Sequence, residues 1–161
     1  MSVNREKPHV FVLPEDDANR QLANGFVLEL DPVPLRNIQV LPEVGGWKQV
    51  IERFKADHLA GMERYPLRFI VLLIDFDGQE GRLGQAKAAV PASVADRVFI
   101  LGTLTEPEAL KKAKLGSYEA IGSALAKDCR DQTDTFWEHD LLRHNASELE
   151  RLRHYVRPIL F

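Results

Sequence analysis

Residues 69–78 read FIVLLIDFDG. Six apolar residues run straight into two aspartates, Asp75 and Asp77, which stand one residue apart and are followed at once by Gly78. Continuous apolarity over 69–74 predicts a strand covered on both faces, as in a parallel sheet flanked by helices. Its carboxyl end then carries two negative charges. In extended backbone, residues i and i+2 point to the same side, so the two carboxylates are expected to share one small space. Like charges at that spacing resist joint ionisation, which raises one pKa unless a cation intervenes. Hard oxygen ligands of this kind suit Mg²⁺ or Mn²⁺. The plain alternative is that Asp75 and Asp77 end a strand and cap the next helix.

Three more short apolar segments surround this one. HVFVLP (9–14) is β-branched, apolar and stopped by Pro14; IQVLP (38–42) and RVFILG (97–102) have the same character. Helical patterns lie between them. Asp16 or Asp17 can cap a helix that carries Ala18, Leu22, Ala23 and Phe26 on one face. A long helix is expected from Trp47, with the stripe Trp47, Val50, Ile51, Phe54, Leu59 and Met62, limited by Pro66. A glycine-rich loop and a short helix follow the aspartates. Thr105 precedes Glu108 by three residues, a capping box, and Ser147 with Glu150 is a second. From Ser117 onward the pattern is mostly helical, ending at Pro158. The alternation predicts an α/β fold: a mainly parallel sheet flanked by helices, with a helical C-terminal extension. With 161 residues the chain has the size of one domain, a core over 9–102 and an extension over 103–161.

Composition narrows the class. Apolar content is 45% and charged content 28%, which is globular. A net charge of −3 argues against coating nucleic acid by bulk electrostatics. Cys129 is the only cysteine, so neither an intramolecular disulfide nor a thiolate cluster can form, and a structural thiol is expected. No signal peptide or membrane span is read, and a cytoplasmic location is expected.

In open α/β sheets the active crevice lies outside the carboxyl ends of the strands. Glu15 ends the first strand, as Asp75 and Asp77 end the third, and should emerge on the same sheet edge. The three pieces VFVLPEDD (10–17), IQVLPEVGG (38–46) and VLLIDFDG (71–78) resemble the Toprim domain, the catalytic domain of topoisomerases, primases and a set of nucleases. The resemblance spans about residues 9–102. It implies that Glu15 is a general acid/base, that Asp75 and Asp77 bind Mg²⁺, and that Gly45 and Gly46 form the loop after strand two. The implied activity is phosphodiester chemistry on nucleic acid, as a nuclease. The chain departs from the family pattern in two places. Glu15 is followed by Asp16 rather than glycine, leaving Asp16 or Asp17 as alternative working acids. Gly78 follows the aspartates directly, with Gly81 one place late.

Other residues were candidates for the same chemistry. Glu106 and Glu108 follow the fourth strand and would complete a second metal site of the kind small Toprim nucleases use; the capping box accounts for Glu108 without chemistry. Arg82 and Lys87 flank the aspartate loop and would hold a phosphate. His139, His144 and His154 do not stack on one helix face and are read as surface or partly packed. Phe136 and Trp137 are read as core or interface. Neither a Walker A loop nor a dinucleotide fingerprint is present. Two other readings stand beside the nuclease. One is a non-catalytic module of the same fold whose helices over 117–157 dock a protein partner or a second copy of the chain. The other is a phosphatase, since DFDG also resembles the motif of haloacid-dehalogenase-like enzymes, in which Asp75 would be the nucleophile.

Overall fold

Four short apolar segments pair side by side in the computed structural model, which describes residues 3–161. They are β1 (His9–Pro14), β2 (Ile38–Val40), β3 (Arg68–Leu73) and β4 (Val98–Leu101). All pairings are parallel, in the order β2-β1-β3-β4. The helices, in chain order, are α1 (Asp17–Val27), α2 (Trp47–Arg53), α3 (Leu59–Arg64), α4 (Arg82–Ala88), α5 (Pro107–Lys112), α6 (Tyr118–Asp131), α7 (Ala146–Tyr155) and α8 (Arg157–Leu160). The expected α/β architecture with a parallel sheet is therefore present. Strands two and four are shorter than their apolar runs suggested. Among the described residues no helix is long and apolar enough to cross a membrane.

Strand alternation sorts the core into two layers. Val10, Val12, Val71, Phe99 and Leu101 face α1, α6, α7 and α8. Phe11, Leu13, Ile70, Leu72 and Ile100 face the layer of α2, α3 and α4. The chain steps outward from β1 to β2 and in the opposite direction from β3 to β4. Right-handed crossovers then require α1 and α4 on opposite faces, as observed.

The expected long helix is divided. Its apolar stripe steps by five residues between Phe54 and Leu59, too far for an α-helical turn. A π-turn over Phe54–His58 absorbs the extra residue and returns Leu59 and Met62 to the core. Neither capping box forms. Glu106, not Thr105, is the N-cap of α5, and Asn145 precedes α7. Pro158 does not end the last helix; it sits in the first turn of α8, where a missing N–H is harmless. The helical tail is interrupted over residues 132–142. There Asp128 accepts bonds from Phe136 N (2.6 Å) and Thr133 Oγ1 (2.7 Å), and Trp137 Nε1 donates to Leu125 O. Trp137 is core, as expected. Cys129 is buried and its thiol is pushed up to about 11 by burial, consistent with a structural thiol.

The free edge of β4 is covered by side chains of one helix face. Asn145 Oδ1 accepts from Gly102 N (3.1 Å) and its Nδ2 donates to Gly102 O (2.9 Å). Glu148 Oε2 accepts from Ile100 N (3.0 Å), and Arg151 Nη1 donates to Val98 O (3.3 Å). Steps of three residues on the helix match steps of two on the strand, so the edge ladder is satisfied without another strand.

Helices α1 and α6 touch backbone to backbone. A Cβ on Gly122 would lie 2.0 Å from Leu22 O, and one on Gly25 2.1 Å from Glu119 O. Gly122→Ala should therefore destabilise the protein by about 1–3 kcal/mol, the usual range for overpacking. Urea unfolding checks this, with Gly84→Ala, at an open position within α4, as a control expected to stabilise by up to about 1 kcal/mol.

At the amino end of the sheet, His9 is fully buried beside Arg68. Arg68 Nε donates to His9 Nε2 (2.9 Å), so that nitrogen must be unprotonated, and Nδ1 must carry the hydrogen donated to Lys7 O (2.7 Å). Burial, then Arg68 and Arg5, lower the His9 pKa. The unfolded chain binds this proton more readily, so the contribution is full above pH 6.5 and is lost as pH falls below it. His9→Gln keeps an acceptor for Arg68 and should flatten the decline of stability between pH 6.5 and 5, read by denaturant titration.

Candidate active site at the carboxyl ends of β1 and β3

The strand order reverses between β1 and β3, the place where open α/β sheets form a crevice. The two strands run in register, Leu13 beside Leu72 and Pro14 beside Leu73. Glu15 N continues the ladder to Leu73 O (2.8 Å). The next rung is different: Asp75 N donates to the Glu15 side chain, at 2.6 Å from Oε2. The first strand's acid thus terminates the pairing of the third strand.

Asp16 is the N-cap of α1, accepting from Asn19 N (2.9 Å). Asn19 Nδ2 donates both to Asp16 Oδ1 (3.0 Å) and to Asp75 Oδ1 (2.8 Å). One amide therefore ties the acids of two strands together. Asp75 is 7% exposed, and its pKa is raised to about 8, first by burial and then by Asp16 and Glu15, against the Asn19 bond. Burial also raises Glu15, with Asp16 and Asp77 adding repulsion, while the Asp75 N–H and Arg82 pull the other way.

Asp77 does not share the space of Asp75. Asp77 and Gly78 both have positive φ (49° and 68°), and Gln79 N closes back on Phe76 O (2.8 Å). That is a turn of the I′ pattern, which Asp-Gly favours. The backbone is no longer extended after Phe76, so the i, i+2 alignment is lost. Asp77 instead reaches Arg82 Nη1 (2.6 Å), which also donates to Asp75 O (2.7 Å) and lies over the Trp47 ring. Arg82 therefore sits at the site. Lys87 lies further along α4 and pairs with Glu148 at the β4 edge (2.5 Å).

Gly45 N donates to Glu15 O (2.7 Å), which places the Gly45-Gly46 loop against the end of β1. Gly45 has φ +104°, a conformation that favours glycine. Asp17 faces away, bonded to Arg20 and Gln21, and Arg20 continues to Glu43 (3.1 Å). Glu106 and Glu108 lie at the start of α5 and act with Asp16 and Asp75 on Tyr118. Burial first, then these four carboxylates, raise the Tyr118 pKa. His144 packs edge-on against Phe76.

Asn19 and Tyr118 were missed in the sequence. Asn19 had a signal: it is a polar residue beside the apolar face of α1, three positions after the cap. Tyr118 had none, because only the packing of α6 brings it to these acids.

Among the described residues no three His, Cys, Asp or Glu side chains are arranged to hold a metal ion by protein ligands alone. The donor chemistry still fits Mg²⁺, which usually binds through one or two carboxylates together with waters and phosphate oxygens. Crowded carboxylates of raised pKa are also the groups a cation would relieve. No protein-family model, curated protein or solved structure matches the chain.

An Asp75 pKa near 8 against 3.8 unfolded means the folded state holds the extra proton in between. Stability should therefore fall as pH rises from about 4 to about 8 in a chelator. Asp75→Asn keeps the Asn19 bond and removes this slope. It should be more stable than wild type at pH 8–9, by urea titration in EDTA.

Proposed function

We propose that the chain is a Toprim-like enzyme that performs metal-dependent phosphodiester chemistry on nucleic acid, as a nuclease. The observation that carries this reading is the Glu15–Asp75 contact: acids from two strands meet at the point where strand order reverses.

Asp75 would hold Mg²⁺ or Mn²⁺ with Asp16 beside it, and Asp77, which pairs with Arg82 in the free protein, would join them once Arg82 turned to a phosphate. A bound cation of this class polarises a phosphate and lowers the pKa of water. Glu15 feels the charges of Asp16 and Asp77 and is held in place by the Asp75 N–H. Burial raises its pKa, the direction that suits a group which takes and returns a proton. Arg82 has a planar fork already aimed into the site, and it would exchange Asp77 for a phosphate oxygen. Trp47 beneath it keeps the guanidinium in place.

Glu15→Gln should keep the fold and lose about 10²–10⁴-fold of metal-dependent cleavage of DNA or RNA, while Asp17→Asn, outside the cluster, stays close to wild type. Mg²⁺ or Mn²⁺ should raise Tm, and the double variant Asp75→Asn, Asp77→Asn should abolish that rise. A wild type that cleaves no nucleic acid under any metal condition would favour the non-catalytic partner-docking module. Hydrolysis of a small phosphomonoester with phosphorylation of Asp75 would favour the phosphatase.

A further inference from the structure

Beneath the acidic cluster, the layer between the sheet and α1, α6, α7 and α8 is not filled. It leaves a partly open cavity of about 100 Å³. The walls are apolar: Val12, Val71, Leu101, Leu125 and Leu152 are among them. Its polar lining is confined to Asn19, Thr103 and Asn145, with no charged side chain among the lining residues. Asn145 has its bonds satisfied at Gly102 and Leu142. Asn19 has its amide committed to Asp16 and Asp75. Thr103 is 1% exposed, and its Oγ1 has no hydrogen-bond partner among the described residues.

Native interiors are close-packed, so a void of this size in the middle of a layer forfeits contacts on every wall. Water fills it poorly. The volume corresponds to about three waters, but a buried water needs two to four polar partners, and only one group here is unsatisfied. An unpartnered buried hydroxyl is itself unfavourable. Both deficits are removed by the same kind of molecule.

We propose that this cavity is a binding site for a compact, largely apolar molecule of roughly three to five non-hydrogen atoms, carrying one hydroxyl or carbonyl that bonds Thr103 Oγ1. The site is separate from the acidic cluster and independent of the chemistry assigned there. The two adjoin through Asn19, which lines the cavity and holds Asp16 and Asp75. An occupant would therefore be felt at the acids.

The test uses two probes on the full chain: xenon, which has no polar group, and propan-2-ol, which has one. Methyl NMR should show saturable shifts for both at Val71, Leu101 and Leu125, and the Asn19 side-chain amide should move with them. Propan-2-ol binding is expected in the millimolar range, because ligand efficiency limits so small a molecule. Thr103→Val should weaken propan-2-ol about fivefold, the worth of one neutral hydrogen bond, and leave xenon unchanged. Ala23→Leu, at a wall residue, should abolish both. Should that variant fold poorly, Val71→Ile fills the void by one methylene and should weaken both probes. Shifts that stay linear with concentration for both probes, or binding indifferent to Thr103→Val and to the filling variants, would overturn the proposal.

Discussion

The parallel pairing of β1 with β3 is the constraint on which the rest of the molecule depends. Six consecutive residues of each strand lie in register. Because β2 is added on one side of this pair and β4 on the other, the crossovers must leave by opposite faces, and a crevice opens where the pair ends. The same register decides which side chains meet there. Pro14 and Leu73 close the apolar ladder; Glu15 comes next on the first strand, and Asp75 follows Ile74 on the third. A slip of one residue would turn each strand's core-facing set to the wrong layer, so the apolar pattern protects the position of the acids.

The site is held against electrostatic resistance. Asp75 is buried beside Asp16 and Glu15, an arrangement that disfavours its charge. What keeps it is a small set of directed bonds: the Asn19 amide shared by two carboxylates, and the Asp75 N–H given to Glu15. On the β4 side the segment after β3 stays bonded, with Phe76 N to Thr103 O, Gly78 N to Leu104 O and Asp77 N to Thr105 O. The loop is thus fixed on one flank by backbone and on the other by a side chain. Opposition of charge and burial of this kind marks a candidate functional site.

The two ends of the sheet solve opposite problems. The carboxyl end gathers acids, while the amino end buries the Arg68 guanidinium with no carboxylate paired to it among the described residues. There Phe11 and Tyr65 lie 4.3 and 4.8 Å from the guanidinium carbon, and neutral His9 accepts its Nε proton. Aromatic faces and a neutral acceptor supply the stabilisation that a counter-ion would otherwise give. The side edge at β4 uses yet another device, a helix whose polar residues stand in for a strand.

Much of this was legible in the sequence. Continuous apolarity in 69–74 forced a strand covered on both faces, and alternation with helical patterns forced a parallel sheet, because burial of every face leaves few alternatives. The placement of Glu15 and Asp75 on one edge followed from strand direction alone, while the sequence left the helix cap to Asp16 or Asp17 and the fold chose Asp16. Other features depended on partners distant in sequence. The Asp77-Gly78 turn redirected the second aspartate, which local extended geometry could not anticipate. Lys87 pairs with Glu148, sixty-one positions away in the chain by their numbering. Asn19 met Asp75 across the β1–β3 edge, and Tyr118 was brought to the acids by α6, which glycines at 25 and 122 let touch α1 backbone to backbone. Pattern and propensity act through neighbours in the chain, so they specify elements and faces; which side chain completes a site is settled by packing, where contacts are made across the whole chain at once.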